Sequence, residues 1–217
     1  RANIYALKSL GCTDVLAISA VGSLQEDYAP GDFVAVDQFI DRTKGRPSTF
    51  FETGMVGHVP MADPVCPRLT GLAAAAAARA GAKVHGRGTY LAMEGPQFST
   101  RAESRMYRQW GCDVIGMTAM PEAKLAREAE LPYALLAMVT DYDCWREGGD
   151  VDIAEILQVM HENADLARAT VVELVKSLPA ERPASPIDTV LDVALITALE
   201  KRDVSKLDAI LKRVSGK

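Results

Sequence analysis

Short apolar runs rich in β-formers alternate along the chain with stretches of helical periodicity, the pattern of a single α/β domain. Residues 14–21, 33–40, 83–93, 113–117 and 133–140 read as strands. The second follows the turn Ala29-Pro30-Gly31-Asp32, whose residue types suit a reversal. Helical patterns cover residues 2–10, 68–80, 102–110, 121–130 and 152–178. Gly81 and Gly111 stop two of them, Ser99 or Thr100 can cap the third, and Pro121 occupies a first turn. In the longest, Ile153, Ile156, Leu157 and Met160 fall on one face. Residues 181–186 read as a linker, and 187–214 as one or two helices with Asp203 a possible break.

The alanine run at 73–78 is low-complexity, but alanine is the best helix former, so a helix is its simple reading. Residues 42–67 show no periodicity and hold Pro47, Pro60 and Pro64. So long a loop inside a compact domain is usually functional.

The chain has 217 residues, 48% of them hydrophobic, enough for one full core. Its net charge of −5 argues against a nucleic-acid footprint. No run is long enough for a membrane span, and the start does not read as a signal peptide. Cys12, Cys66, Cys112 and Cys144 form no C-x-x-C pair and have no histidine at metal spacing, so reduced thiols and no metal are expected. The chain opens at Arg1 inside a helical pattern, so preceding residues are expected.

Four segments end strands or open helices, where open α/β sheets place ligands. They are 19–23, 94–99, 116–118 and 140–143. Thr140-Asp141-Tyr142-Asp143 is the most informative, because it follows the buried run 134–139. Alternation along a strand would point Asp141 and Asp143 the same way. Two such carboxyls beside an apolar wall cannot both ionise cheaply, so one pKa should rise and that group can donate a proton near neutral pH. Two surface aspartates in a turn are the competing reading.

In the first segment, Gly22 lets backbone amides approach an anion, although by itself the segment reads first as an ordinary strand-to-loop turn. Thr118, just before the helix opening at Pro121, supplies a hydroxyl beside helix N-terminal amides. A plain N-cap explains it as well. Phe98 reads as a stacking ring or a core plug. His58 reads as a site residue or a structural histidine. Arg101 and Glu103 read as architectural.

Together these segments resemble the nucleoside phosphorylase superfamily, and within it the branch acting on 5′-methylthioadenosine. The resemblance rests on Gly22-Ser23-Leu24, Pro30-Gly31-Asp32, residues 37–43, Pro60-Met61-Ala62, residues 94–99 and 101–104, Met117-Thr118, Pro121-Glu122 and 140–145, and it covers 1 to about 178. It implies a mixed central sheet flanked by helices, with residues 1–180 as the phosphorylase domain, incomplete at its N-terminus, and 181–217 packed on it. Ser19, Ala20 and Thr118 would bind phosphate. Met117 would meet the ribose hydroxyls through its backbone, and Phe98 would stack near the base. Ser99, Asp141 and Asp143 would contact adenine, with Asp141 as general acid to N7. His58 would come from a neighbouring subunit of a homotrimer to enclose the methylthio group, and Ile153 would shape that pocket.

The implied activity is phosphate-dependent cleavage of the N-glycosidic bond, in the cytoplasm, with no cofactor. Carboxylates suit the 6-amino group of adenine better than a 6-oxo purine. The alternatives are a purine nucleoside phosphorylase of other base or 5′ preference, and a nucleoside-binding subunit without turnover.

Overall fold

The computed structural model describes residues 1–51, 53–146, 153–202, 210 and 212–214. Within α5 it omits the side chains of Ile153 and Glu155. In chain order the elements are α1 (Ala2–Ser9), β1 (Val15–Ser23), β2 (Phe33–Val36), β3 (Gln38–Asp41), α2 (Pro67–Arg79), β4 (Val84–His85) and β5 (Thr89–Ala92). Then follow α3 (Arg101–Gln109), β6 (Val114–Gly116), α4 (Glu122–Glu128), β7 (Tyr133–Asp141), α5 (Ile153–Ser177) and α6 (Leu191–Ala194). Single 3-10 turns at Pro186–Thr189 and Leu199–Lys201 flank α6.

The seven strands form one mixed sheet in the order β3-β5-β6-β1-β7-β2-β4. Two runs expected to be single strands are each divided. Residues 33–40 split at Asp37 into β2 and β3, and 83–93 split near Gly88 into β4 and β5. Each pair of halves lies at opposite ends of the sheet order, so the sheet curls and the same two segments serve both ends. The double bend is stitched by Asp37 N–H to the Gly88 carbonyl at 3.1 Å and by Gly88 N–H to Asp37 Oδ1 at 3.2 Å. A Cβ on Gly88 would lie 2.6 Å from Val34 Cγ1, so only glycine fits this crossing.

Alternation along the strands sorts the core. Phe33, Ala35 and Leu136 pack with Ala73 and Ala77 of α2 and Ala167 of α5. Val34, Val36, Leu135, Ala137 and Val139 face the other way, with Leu125 of α4 and with Val190, Leu191 and Ala194. The alanine run is the face on which α2 approaches the sheet, with Ala73, Ala76 and Ala77 fully buried. Sheets covered on both faces read as near-continuous apolar runs, as β2 and β7 do.

The apolar stripe expected at the start of α5 is not its buried face. Leu157 is 50% exposed and Met160 38%. The helix turns inward with Asn163 and Thr170, which are buried because each bonds a carbonyl: Asn163 Nδ2 to Val139 at 3.0 Å, Thr170 Oγ1 to Leu166 at 2.8 Å.

Among the described residues of the last segment, short helical turns alternate with irregular chain. Its helix α6 is four residues long and ends at Leu195, whereas the break expected at Asp203 lies outside the described residues. It is fastened by Arg182 to Asp188 at 2.7 Å and by Arg213 to Asp192 at 2.8 Å, with Arg213 also on buried Glu130. All four cysteines are free.

Candidate active site

Positions 17, 19 and 21 of β1 project to the same side as 135, 137 and 139 of β7, its parallel neighbour. Ser19 is therefore a buried hydroxyl, 9% exposed. β6 runs antiparallel to β1 with Gly22 opposite Ile115, and continuing that register brings Thr118 opposite Ser19. Their hydroxyls meet at 2.9 Å although 99 residues separate them in the chain. Ser19, Ala20 and Thr118 line one cavity of about 320 Å³. Thr118 and Glu122 also line a second of about 490 Å³, beside Arg46 and Met117.

The N-cap of α4 is Pro121, which has no N–H and makes no side-chain cap, and Glu122 stands in the first turn with its carboxylate accepting from Tyr133 Oη at 2.9 Å. A Cβ on Gly22 would lie 3.0 Å from Asp141 Oδ1 and 3.4 Å from Asp143 Cβ. Its missing side chain makes room for the carboxylates.

The pairing of β1 with β7 shifts register between Val21 and Gly22, so Val21 pairs with Val139 and Gly22 with Asp141. Thr140 is left in the bulge, where its hydroxyl donates to the Val21 carbonyl at 3.1 Å and lies 2.7 Å from Asp141 Oδ2. Asp141 ends the strand. Asp143 then adopts a left-handed backbone, φ 51°, and its N–H donates to Asp141 Oδ1 at 2.7 Å. The two carboxyls are brought together by a turn, not by the strand alternation expected from sequence.

One of the two is indeed pushed up, and it is Asp143, whereas the sequence reading assigned the raised pKa to Asp141. Burial is the main cause, opposed by the adjacent Ser104 hydroxyl and Cys144 N–H, with the Asp141 charge adding to the rise. Asp143 is 7% exposed and its Oδ2 has no hydrogen-bond partner. A buried acceptor left open has room for a donor from water or from a ligand.

A stability prediction follows. A carboxyl whose folded pKa lies above its unfolded value is tolerated below the unfolded value and costs stability as pH rises through the folded one. Asp143→Asn should match wild type near pH 3 and exceed it by a few degrees in Tm near pH 7, the unfolded carboxyl titrating near about 3.9. Equal melting curves at both pH values would refute the assignment.

The turn carrying Asp143 is held from several sides. Trp145 Nε1 donates to the Ser23 carbonyl at 2.8 Å, and the Arg108 guanidinium lies 3.4 Å from the Trp145 ring centroid. Arg101 donates to the Cys144 carbonyl at 2.8 Å, and Cys144 Sγ donates to the Ser99 carbonyl at 3.2 Å. Thr100, not Ser99, caps α3, in a capping box with Glu103. Ser99 keeps its hydroxyl on a weak acceptor, Met93 Sδ, at 3.6 Å. Phe98 is 57% exposed and so is not a core plug.

Met117 packs under the 94–99 loop: a Cβ on Gly95 (φ 69°) would lie 2.5 Å from Met117 Sδ. Its carbonyl accepts from Arg46 at 2.7 Å. Tyr90, fully buried, accepts from the Thr118 N–H at 3.4 Å. His58 is exposed and stands apart from these groups, its N–H bonded to the Ala194 carbonyl at 2.9 Å. The side chain of Ile153 lies outside the described residues.

Sequence reasoning missed Arg46, Tyr90 and Ser104. Only Arg46 left a signal, a cation beside a proline within the long irregular segment.

Residues 1–176 match the family model described as the phosphorylase superfamily. The S-methyl-5′-thioadenosine phosphorylase of Cereibacter sphaeroides is 57% identical over 220 residues, covering 99% of this chain and 76% of that protein. That of Thermofilum pendens is 53% identical, over 90% of this chain and 74% of its own length. Among solved structures, a methylthioadenosine phosphorylase from an antarctic soil metagenomic library superposes with TM-score 0.90 at 47% identity, covering 97% of this chain and 75% of that one. Methylthioadenosine phosphorylase from Schistosoma mansoni in complex with adenine gives TM-score 0.84 at 37% identity, covering 89% and 77%. The chain, with its curled mixed sheet and paired site loops, belongs to the phosphorylase superfamily.

Proposed function

We propose that this protein cleaves 5′-methylthioadenosine with inorganic phosphate, giving adenine and 5-methylthioribose 1-phosphate. The observation that carries the reading is the pairing of two halves at one end of the sheet. Ser19, whose hydroxyl meets that of Thr118, lies three residues before Gly22 on β1, and Gly22 makes room for the buried carboxyl pair at the end of β7. The named activity of relatives around half identical in sequence supports it.

Phosphate, held by Ser19, Thr118 and the Ala20 backbone, attacks the anomeric carbon while the bond to the base nitrogen breaks. Its own charge stabilises the oxocarbenium-like sugar, by analogy with glycoside chemistry. Electrons from the breaking bond move into the adenine ring, and the carboxyl pair delivers a proton to N7. Asp141 is the donor and Asp143 the acceptor of the 6-amino N–H. Phe98 and Ser99 cover the base, and Met117 orients the ribose.

The reading assigns no cofactor, with phosphate as co-substrate. It places the protein in the cytoplasm, in methionine and purine salvage, as a homotrimer in which the exposed His58 reaches a neighbour's methylthio group beside Ile153. The decisive assay follows adenine release with and without phosphate, from methylthioadenosine and from adenosine. Phosphate-dependent release that is faster from methylthioadenosine is expected. Hydrophobic discrimination of this size is about 10–200-fold. Faster turnover of adenosine would sink the 5′ assignment, and release independent of phosphate would sink phosphorolysis.

A further inference from the structure

Arg46 lies in the irregular segment between β3 and α2 and carries none of the roles above. Its guanidinium is mostly buried, 23% exposed, and its donors are consumed by backbone. Nη1 donates to the carbonyls of Met117 and Met120, both at 2.7 Å. Nη2 donates to the Glu94 carbonyl at 2.7 Å, and Nε faces both Glu94 carboxylate oxygens at 3.2 Å. Glu94 Oε2 in turn accepts from the Lys44 N–H at 2.6 Å, closing the segment onto the site.

These carbonyls belong to the ends of two neighbouring strands. From β5 runs the loop with Phe98 and Ser99, which meets the base. From β6 runs the turn with Met117 and Thr118, which meets sugar and phosphate. Within one plane, a single rigid fork thus ties both ends together. Although Arg46 lines the cavity beside Thr118, it has little donor capacity left for an anion. A direct phosphate contact would require it to release a carbonyl.

We propose that Arg46 is a positioning residue, fixing the spacing between the base-side and phosphate-side loops, and so the alignment of nucleophile with leaving group. The role rests on the phosphorolysis reading. Misplacement of reacting groups by about 1 Å costs roughly 100-fold in rate. Lysine cannot replace the fork, because an ammonium is a point donor that does not span the carbonyls in one plane.

The test uses Arg46→Ala and Arg46→Lys in the intact protein, with kcat and KM measured separately for phosphate and methylthioadenosine. Both variants should lose roughly 100-fold in kcat, with much smaller changes in either KM. Millimolar guanidinium ion should restore Arg46→Ala severalfold, and ammonium should not. A merely structural residue would show neither the kcat-specific loss nor the rescue. Arg46→Lys within twofold of wild type, or no rescue by guanidinium, overturns the proposal.

Amide exchange separates this from the fate of the reaction itself. In Arg46→Ala, residues 93–95 and 117–120 should exchange faster together while 134–139 of β7 stay protected. Unchanged exchange at both loops refutes positioning whether or not the wild type turns over. Coupled loosening in Arg46→Ala beside a wild type that shows no phosphorolysis refutes only the reaction.

Discussion

Asp141→Asn should lower kcat for methylthioadenosine phosphorolysis by about 10²–10⁴-fold, the usual contribution of a positioned general acid. The substitution keeps the shape of the side chain: its one oxygen can still accept from Asp143 N–H, and its NH2, in place of Oδ2, can donate to Thr140 Oγ1, whose own proton goes to the Val21 carbonyl. What it removes is the proton that the departing base needs. A ribosyl substrate whose leaving group departs without protonation, such as a nitrophenolate, should therefore be nearly insensitive to the change. Comparing kcat on the two substrates, with phosphate saturating, isolates acid catalysis from binding. Equal losses on both would mean that Asp141 orients the substrate rather than protonating it.

The second large effect is structural in origin. Gly116 closes β6, and a Cβ there would lie 2.0 Å from Tyr90 Oη and 2.6 Å from Cζ. Tyr90 is fully buried against Val114 and Phe39, so the ring cannot swing away without disturbing its neighbours. Gly116→Ala should cost about 3 kcal/mol, the upper part of the range for overpacking. It should also raise KM for phosphate, because the Tyr90 hydroxyl accepts from the Thr118 N–H. Urea unfolding should show a lower midpoint at unchanged slope. Tyr90→Phe in the same chain removes the nearest atom and should recover part of the loss. An unaltered midpoint for Gly116→Ala would mean that the crossing is looser than these distances require.

Local pattern carried most of the element list, since strands and helices announce themselves by period. It did not reveal where a strand changes partner. Residues 33–40 carry the polar pair Asp37-Gln38 between two apolar stretches, but that pair does not say that the two strands bend toward opposite ends of the sheet. The face of α5 was misread for a related reason. Period finds an apolar stripe, whereas Asn163 is buried on a carbonyl of β7 and Thr170 on the Leu166 carbonyl of its own helix.

At the site, residue types were legible because carboxylates, hydroxyls and an aromatic at strand ends carry recognisable chemistry. That burial pushes the Asp143 carboxyl up was not, because it follows from how the turn after β7 buries that side chain. Arg46 left only its place beside Pro47 in the irregular segment as a signal. Its main partners, backbone carbonyls, are present at every residue and leave no mark in sequence.

The parallel pairing of β1 with β7 joins residues 15–23 to residues 133–141. More than a hundred residues must be made before the first strand of the pair can meet the second. Both functional halves wait on that closure, since Gly22 and Thr140 form the bulge that seats Asp141, and Ser19 lies three residues earlier on the same strand. Pairings this distant in sequence slow folding, because loop entropy is lost before the contacts form. Catalytic competence should thus arise in one late step during refolding. A half-made chain on the ribosome would hold neither half of the reaction centre.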